Sequence, residues 1–152
     1  MLDRYEREIL SILQRDGRIS NQELADKVGI SASSCLRRMR ALEEAGYISQ
    51  YKAELNPKAL GLGLMALVTI SMDKHVPERF DEFDKAIKQI PNVIECLLIT
   101  GQTADYQLKV VVPDMDTYQE LLLKRINKIP GVAGVHSSFV LNTVIYRGPL
   151  PV

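Results

Sequence analysis

Residues 20–46 read SNQELADKVGISASSCLRRMRALEEAG, and the punctuation of this stretch decides the first half of the fold. Ser20 followed three residues later by Glu23 is a capping box, in which each side chain satisfies a backbone N–H at the start of a helix. Leu24, Ala25 and Val28 form the apolar stripe of that helix. Gly29 stops it, because glycine takes a positive φ without steric cost. Ser31 caps a second helix, along which Cys35, Leu36, Met39 and Leu42 share one face until Gly46. Two short helices around a tight turn, with small Ala25 where the second crosses the first, make a helix-turn-helix.

The flanks extend this unit. Leu2, Tyr5, Ile9, Ile12 and Leu13 recur at helical spacing between Leu2 and Arg15, and Asp16-Gly17 ends that helix. Tyr47 to Leu55 alternates weakly and reads as an extended stretch, either a short wing or a strand leading away from the helices.

In a helix-turn-helix the second helix enters the major groove with its N-terminal residues at base edges. Here that end carries Ser31, Ala32, Ser33 and Ser34, short side chains that allow close backbone approach. The helix N-terminus adds partial positive charge toward phosphate. Arg37, Arg38 and Arg40 follow, and an arginine fork grips phosphate or guanine. The candidate contacts to double-stranded DNA are thus Ser31, Ser33, Ser34, Arg37, Arg38 and Arg40. The competing reading is an amphipathic helix with a solvated basic face.

Net charge does not decide between them. The chain has 19 basic and 19 acidic side chains, and the first 55 residues balance at nine of each. Only the local field at a phosphate contact must be positive, so DNA-facing charge has to come from clustering.

Asn56-Pro57 and Gly61-Leu62-Gly63 mark a connector, after which the hydrophobic period changes. Leu64 to Met72 reads as a strand. Pro77 starts a helix bearing Phe80, Phe83, Ile87 and Ile90. Strands follow at Val93 to Thr100 and Tyr106 to Val112, separated by a turn at Gly101 to Asp105. A helix carrying Tyr118, Leu121, Leu122, Ile126 and Ile129 runs to Pro130-Gly131, and a last strand region spans Val135 to Tyr146. This order is the βαββαβ pattern of a ferredoxin-like sheet. The expected class is α+β, with a winged helix-turn-helix over 1–52, a linker over 53–63 and a ferredoxin-like domain over 64–152. Leu97-Leu98, Val110-Val111 and Val140-Leu141 alternate little, so the sheet face away from the helices is expected to be apolar too. Such a face is buried most cheaply against a second copy of the chain.

Several classes are set aside. Cys35 and Cys96 lie 61 residues apart with no CxxC pair, and His75 and His136 are isolated, so two buried free thiols and no metal site are expected. The opening MLDRYEREIL is no signal peptide. The longest uncharged run, Ala59 to Met72, is too short to span a bilayer, which points to the cytoplasm. No nucleophile–base pair, P-loop or dinucleotide fingerprint suggests an enzyme. An RNA-binding sheet would show aromatics on its central strands, and Val93 to Thr100 has none. The Gly101–Asp105 turn admits two readings. It is an ordinary hairpin with a solvated Asp105, or a cradle whose N–H groups take a carboxylate while Asp105 takes an ammonium.

The stretches LDRYEREIL, DGRISNQELADKVGISASSCLRRMRALEEAGYI and NPKALGL, then LMALVTI, NVIECLLITG, DYQLKVVVPDM and IPGVAGVHSSFVL, resemble the Lrp/AsnC family of regulators along nearly the whole chain. The resemblance implies a transcription regulator whose second domain, of the RAM or ACT-like type, senses an amino acid at a turn between subunits. It also implies dimers that assemble further, often to octamers. The effector residues it implies are Gly101, Gln102, Thr103, Ala104 and Asp105. Ser137 and Ser138 are added as the expected wall, together with Leu98 and Thr100, on strands taken to be neighbours. No spare charge lines that wall, which favours leucine or methionine, with no cofactor. His136 reads as a surface residue at a strand start. Relative to the family this turn is one residue longer and has Gln102 in place of an acid, and Ala32 and Ser34 replace prolines that often flank a threonine in the recognition helix.

Overall fold

The computed structural model describes residues 1–101 and 103–152, and the chain divides into two compact units, 1–54 with 144–152 and 55–143.

In the first unit, α1 (Arg4–Leu13), α2 (Asn21–Val28) and α3 (Ala32–Glu44) begin where the capping residues place them. Asp3 and Ser20 each complete a capping box, with Glu6 and Glu23, and Ser31 Oγ accepts from the Ser34 amide at 3.3 Å. Gly29 closes α2 at φ 74° and ψ 38°. Gly46, at φ 76°, ends α3 in a Schellman arrangement. Its N–H donates to Glu43 O at 3.0 Å and that of Tyr47 to Leu42 O at 2.9 Å. Ile9, Leu10, Leu24, Ala25, Val28, Cys35 and Leu42 form the core. Burying one such Ile or Leu side chain contributes about 1.5–3 kcal/mol. Asn21 Nδ2 donates to Ala32 O at 2.8 Å, tying the start of α2 to the start of α3.

Two expectations for this region are corrected. Residues 48–56 form no helix or strand, so the wing strand is not made, and Tyr51 Oη is instead hydrogen-bonded to Glu43 Oε1 at 3.0 Å. The last strand ends at Phe139 rather than Tyr146, and residues 144–152 group with the helical unit. Pro149 and Pro151 have no N–H to give a ladder. Gln14 pairs with this tail through both amide atoms: its Nε2 donates to Leu150 O at 3.1 Å, and its Oε1 accepts from Leu150 N at 2.5 Å.

The second unit runs β1 (Leu64–Met72), α4 (Pro77–Ile87), β2 (Val93–Leu98), β3 (Tyr106–Val112), α5 (Met115–Lys124) and β4 (Val132–Phe139). The strands pair antiparallel in the order β2-β3-β1-β4, the expected ferredoxin-like topology. Alternate residues Ala66, Val68, Ile70 and Met72 of β1 join Tyr106, Leu108, Val110 and Val112 of β3 in a core with Phe83, Ile87, Tyr118 and Leu121. The second helix is shorter than its apolar pattern. It stops at Lys124, and a 3₁₀ turn at Ile126–Lys128 continues the burial through Ile126 and Ile129.

The opposite sheet face is mixed, not uniformly apolar. Period-two alternation splits each apolar pair between faces, and Val140-Leu141 lies beyond β4. Register places Met65, Leu67, Leu97 and Val111 on this outer face beside Thr69, Gln107, Lys109, His136 and Ser138. Lys109 Nζ lies 3.9 Å from Glu95 Oε1 there. Cys35 is buried as expected, but Cys96 is exposed because β2 is an edge strand.

Gly131 combines a strained backbone with close packing. It holds φ +92°, and a Cβ there would come within 2.9 Å of Met72 Cε and 3.1 Å of Arg79 Cδ. Gly131→Ala is expected to cost about 1–3 kcal/mol and lower the thermal midpoint; an unchanged midpoint would show that this connection relaxes freely.

Candidate DNA-recognition helix and effector turn

The rotation of α3 follows from its buried residues. Cys35 and Leu42 point into the core, so Ser33, Arg37 and Arg40, at spacings of four and three, form one exposed stripe. No carboxylate pairs with Arg37 or Arg40 among the described residues. Ser31 is committed as the cap, and its Oγ also lies 3.3 Å from Ser33 Oγ. Ser34 is half-buried.

Arg38 departs from its expected role. Its Nη1 lies 2.5 Å from Asp3 Oδ2 and 3.5 Å from Glu6 Oε1, and its guanidinium sits 5.3 Å from the centre of the Tyr5 ring. The side chain is only 19% exposed, and Nε is buried without a partner among the described residues. Arg38 therefore joins α3 to α1 instead of facing outward. The Glu6 backbone N–H holds the Asp3 carboxyl below its ordinary range against partial desolvation, with Arg38 adding to the effect. The N-cap Asp3 and the first-turn Glu6 stand in the sequence, but a lone helical pattern does not say which arginine they face.

The second candidate lies at the end of the sheet. Of the Gly101–Asp105 turn, Gln102 falls outside the described residues. Gly101 and Thr103 are exposed and Ala104 is half-buried. Gly101 does not use a positive φ, and a side chain there would meet open space. The backbone N–H groups of Gly101, Thr103 and Ala104 have no partner among the described residues.

Asp105 is no solvated turn residue. Its N–H donates to Ile70 O and its carbonyl accepts from Ile99 N, both at 2.8 Å. Its side chain is 18% exposed, and Oδ2 accepts from the Met72 backbone N–H at 2.7 Å. The register of β1 against β4 shifts at Ser71/Met72, and the carboxylate supplies the acceptor at that irregularity. Oδ1 accepts from His75 Nε2 at 2.7 Å. His75, taken from the sequence as isolated, is thus the residue that sequence reasoning missed. Nothing local links positions 30 residues apart; the signal is topological, because the β1–α4 connection and the β2–β3 turn share one end of the sheet. Next to Asp105, Tyr106 stacks on Phe83 at 4.2 Å and donates to Asp84 Oδ1 at 2.9 Å. Burial first, then Asp84, pushes its phenol pKa up.

The expected pocket wall is not assembled within one chain. Leu98 is on β2 and Ser137 and Ser138 are on β4, which are opposite edges of the sheet and not neighbours. The split βαβ topology inserts β3 and β1 between them. Thr100 lies outside the strands. Ser137 faces the helices and hydrogen-bonds Tyr118 Oη, whereas Ser138 is exposed on the outer face with His136, which sits mid-strand.

Comparison with known proteins gives concordant matches for both units. Residues 2–49 match a family model for winged helix-turn-helix DNA-binding domains, and residues 65–150 match that of the Lrp/AsnC ligand binding domain. The leucine-responsive regulatory proteins of Escherichia coli and Klebsiella pneumoniae are each 42% identical over 143 residues, covering 94% of this chain and 87% of theirs. A transcriptional regulator of Neisseria meningitidis, solved as an L-Met complex, superposes with a TM-score of 0.94 at 35% identity, covering 99% of this chain and 97% of that one. An AsnC family transcriptional regulator from Agrobacterium tumefaciens gives 0.91 at 35% identity with the same coverage. The chain belongs to the Lrp/AsnC family of transcription regulators, with a helix-turn-helix for DNA at its front and a ligand-binding domain behind it.

Proposed function

We propose that this regulator reads duplex DNA through Ser33, Arg37 and Arg40 of α3, and that a free amino acid bound at the Gly101–Asp105 turn sets its activity or assembly. The observation that carries the DNA half is the exposed stripe on α3, whose Arg37 and Arg40 are in no ion pair among the described residues while Arg38 is spent on α1. For the effector half, the amides of Gly101, Thr103 and Ala104, without a partner among the described residues, suit a carboxylate, and Asp105 suits an ammonium. Gly101, Thr103 and Ala104 add no charge for a charged effector side chain. That agrees with leucine or methionine, as do relatives named leucine-responsive and a structural neighbour complexed with L-Met.

Two arginines per subunit give few phosphate contacts, so affinity comes from several subunits acting together. We assign self-association to the outer sheet face, where Met65, Leu67 and Leu97 supply apolar area. The expected products are dimers and, from them, octamers. The site of action is the cytoplasm, where the DNA is; no helix among the described residues is long and apolar enough to cross a membrane.

In gel-shift titrations across salt concentration, Arg37→Ala and Arg40→Ala should each reduce the slope of log affinity against log salt by about one per bound helix. Arg38→Ala should lower the melting temperature and leave that slope unchanged. Wild-type slopes for Arg37→Ala and Arg40→Ala would remove both residues from the interface. In a thermal-shift screen of the twenty amino acids, leucine or methionine should raise the midpoint by mass action. Asp105→Asn keeps an acceptor for the Met72 N–H but loses the charge, and should abolish that rise; an undiminished rise would take Asp105 out of the effector site.

A further inference from the structure

The two oxygens of the Asp105 carboxylate are held in different ways. Oδ2 is bonded to the Met72 backbone N–H, which the sheet fixes in place. Oδ1 is bonded to a side chain, the His75 imidazole, whose own exposure is 67%. His75 lies in the short connection 73–76 between β1 and α4. The backbone of that connection is pinned at both ends. Asp73 N donates to Gly131 O at 2.8 Å, Arg79 Nε lies 3.4 Å from Asp73 Oδ1, and Pro77 opens α4. The ring itself has one aromatic neighbour among the described residues, Phe80, at 6.1 Å between centroids. A rotamer change of an exposed side chain would therefore release Oδ1 without moving the backbone.

We propose that His75 belongs to the effector site as a competitor: its imidazole is hydrogen-bonded to Asp105 Oδ1, the oxygen that the sheet does not hold, and the α-ammonium of the bound amino acid takes its place there. This rests on the assignment of the effector to the Gly101–Asp105 turn. The chemistry favours exchange at Oδ1 and not at Oδ2. An ionised carboxylate only accepts, so Nε2 of His75 is the donor and contributes one N–H. An ammonium brings a full charge and three donors to the carboxylate, against the single N–H that the imidazole offers. The Met72 N–H cannot leave without breaking the sheet end, and it keeps the carboxylate aimed while the second partner changes. Competition of this sort weakens the apparent affinity by the fraction of molecules in which the acceptor is free. His75 thus tunes the concentration at which the regulator responds, without touching the ligand's side chain.

The test is isothermal titration of the full-length protein with L-methionine and with L-leucine, for wild type, His75→Ala and His75→Gln. His75→Ala removes the competing donor and should tighten binding about three- to tenfold. His75→Gln restores an N–H donor of similar reach and should return the affinity toward wild type. Because position 75 is exposed, both variants should keep the wild-type circular dichroism spectrum. Unchanged or weakened binding by His75→Ala, or equal tightening by both variants, overturns the competitor role while leaving the effector site standing. Absence of binding by wild type and both variants overturns the effector site itself, and the competitor role with it.

Discussion

The burial of Cys35 and Leu42, seven residues apart on α3, sets the rotation of that helix about its axis, and everything the helix presents follows from it. At about 100° per residue, turning α3 by one position would exchange Arg37 for Arg38 on the outward face. The Arg38 contacts to Asp3, Glu6 and Tyr5 reinforce the same rotation from the α1 side. Glu6 thereby serves twice, closing the capping box of α1 and partnering an arginine of α3. A cluster of three arginines in sequence becomes two outward cations and one internal strut.

In the second unit the corresponding constraint is the position of β1 between β3 and β4. Its alternate residues fill the core, and its end at Met72 carries the irregularity that Asp105 completes. The acid that anchors the turn is therefore also a structural element of the sheet. At the proposed effector turn, the Met72 N–H holds one oxygen of this acid and the His75 imidazole is bonded to the other.

Much of this architecture was legible in the sequence. Capping boxes, glycine stops and apolar periods depend on neighbours within about one or two helical turns, so Ser20, Gly29, Ser31 and the βαββαβ order could be read directly. What was not legible depends on contacts between distant segments. The partner of Arg38 is 35 residues away and that of Asp105 Oδ1 is 30 residues away, and neither spacing leaves a local pattern. The expected proximity of Leu98 to Ser137 and Ser138 failed because the ferredoxin-like order itself places β3 and β1 between their strands. Adjacent apolar pairs such as Val110-Val111 suggested a sheet apolar on both faces, but the pleat sends one member to each side, and Gln107 and Lys109 of the same strand, with Thr69, His136 and Ser138 of β1 and β4, make the outer face mixed. The final segment misled in a simpler way: apolar Val144 and Ile145 resemble strand residues, yet the prolines that follow suit a tail grouped with the helices.

The central claim is the division of labour among the arginines of α3, and arginine modification by phenylglyoxal, quantified by mass spectrometry with and without bound duplex DNA, tests it most directly. Arg37 and Arg40 are expected to react readily in the free protein and to be protected by DNA, while Arg38 reacts slowly in both states. A readily modified Arg38 that DNA protects, with Arg37 and Arg40 unaffected by DNA, would contradict it.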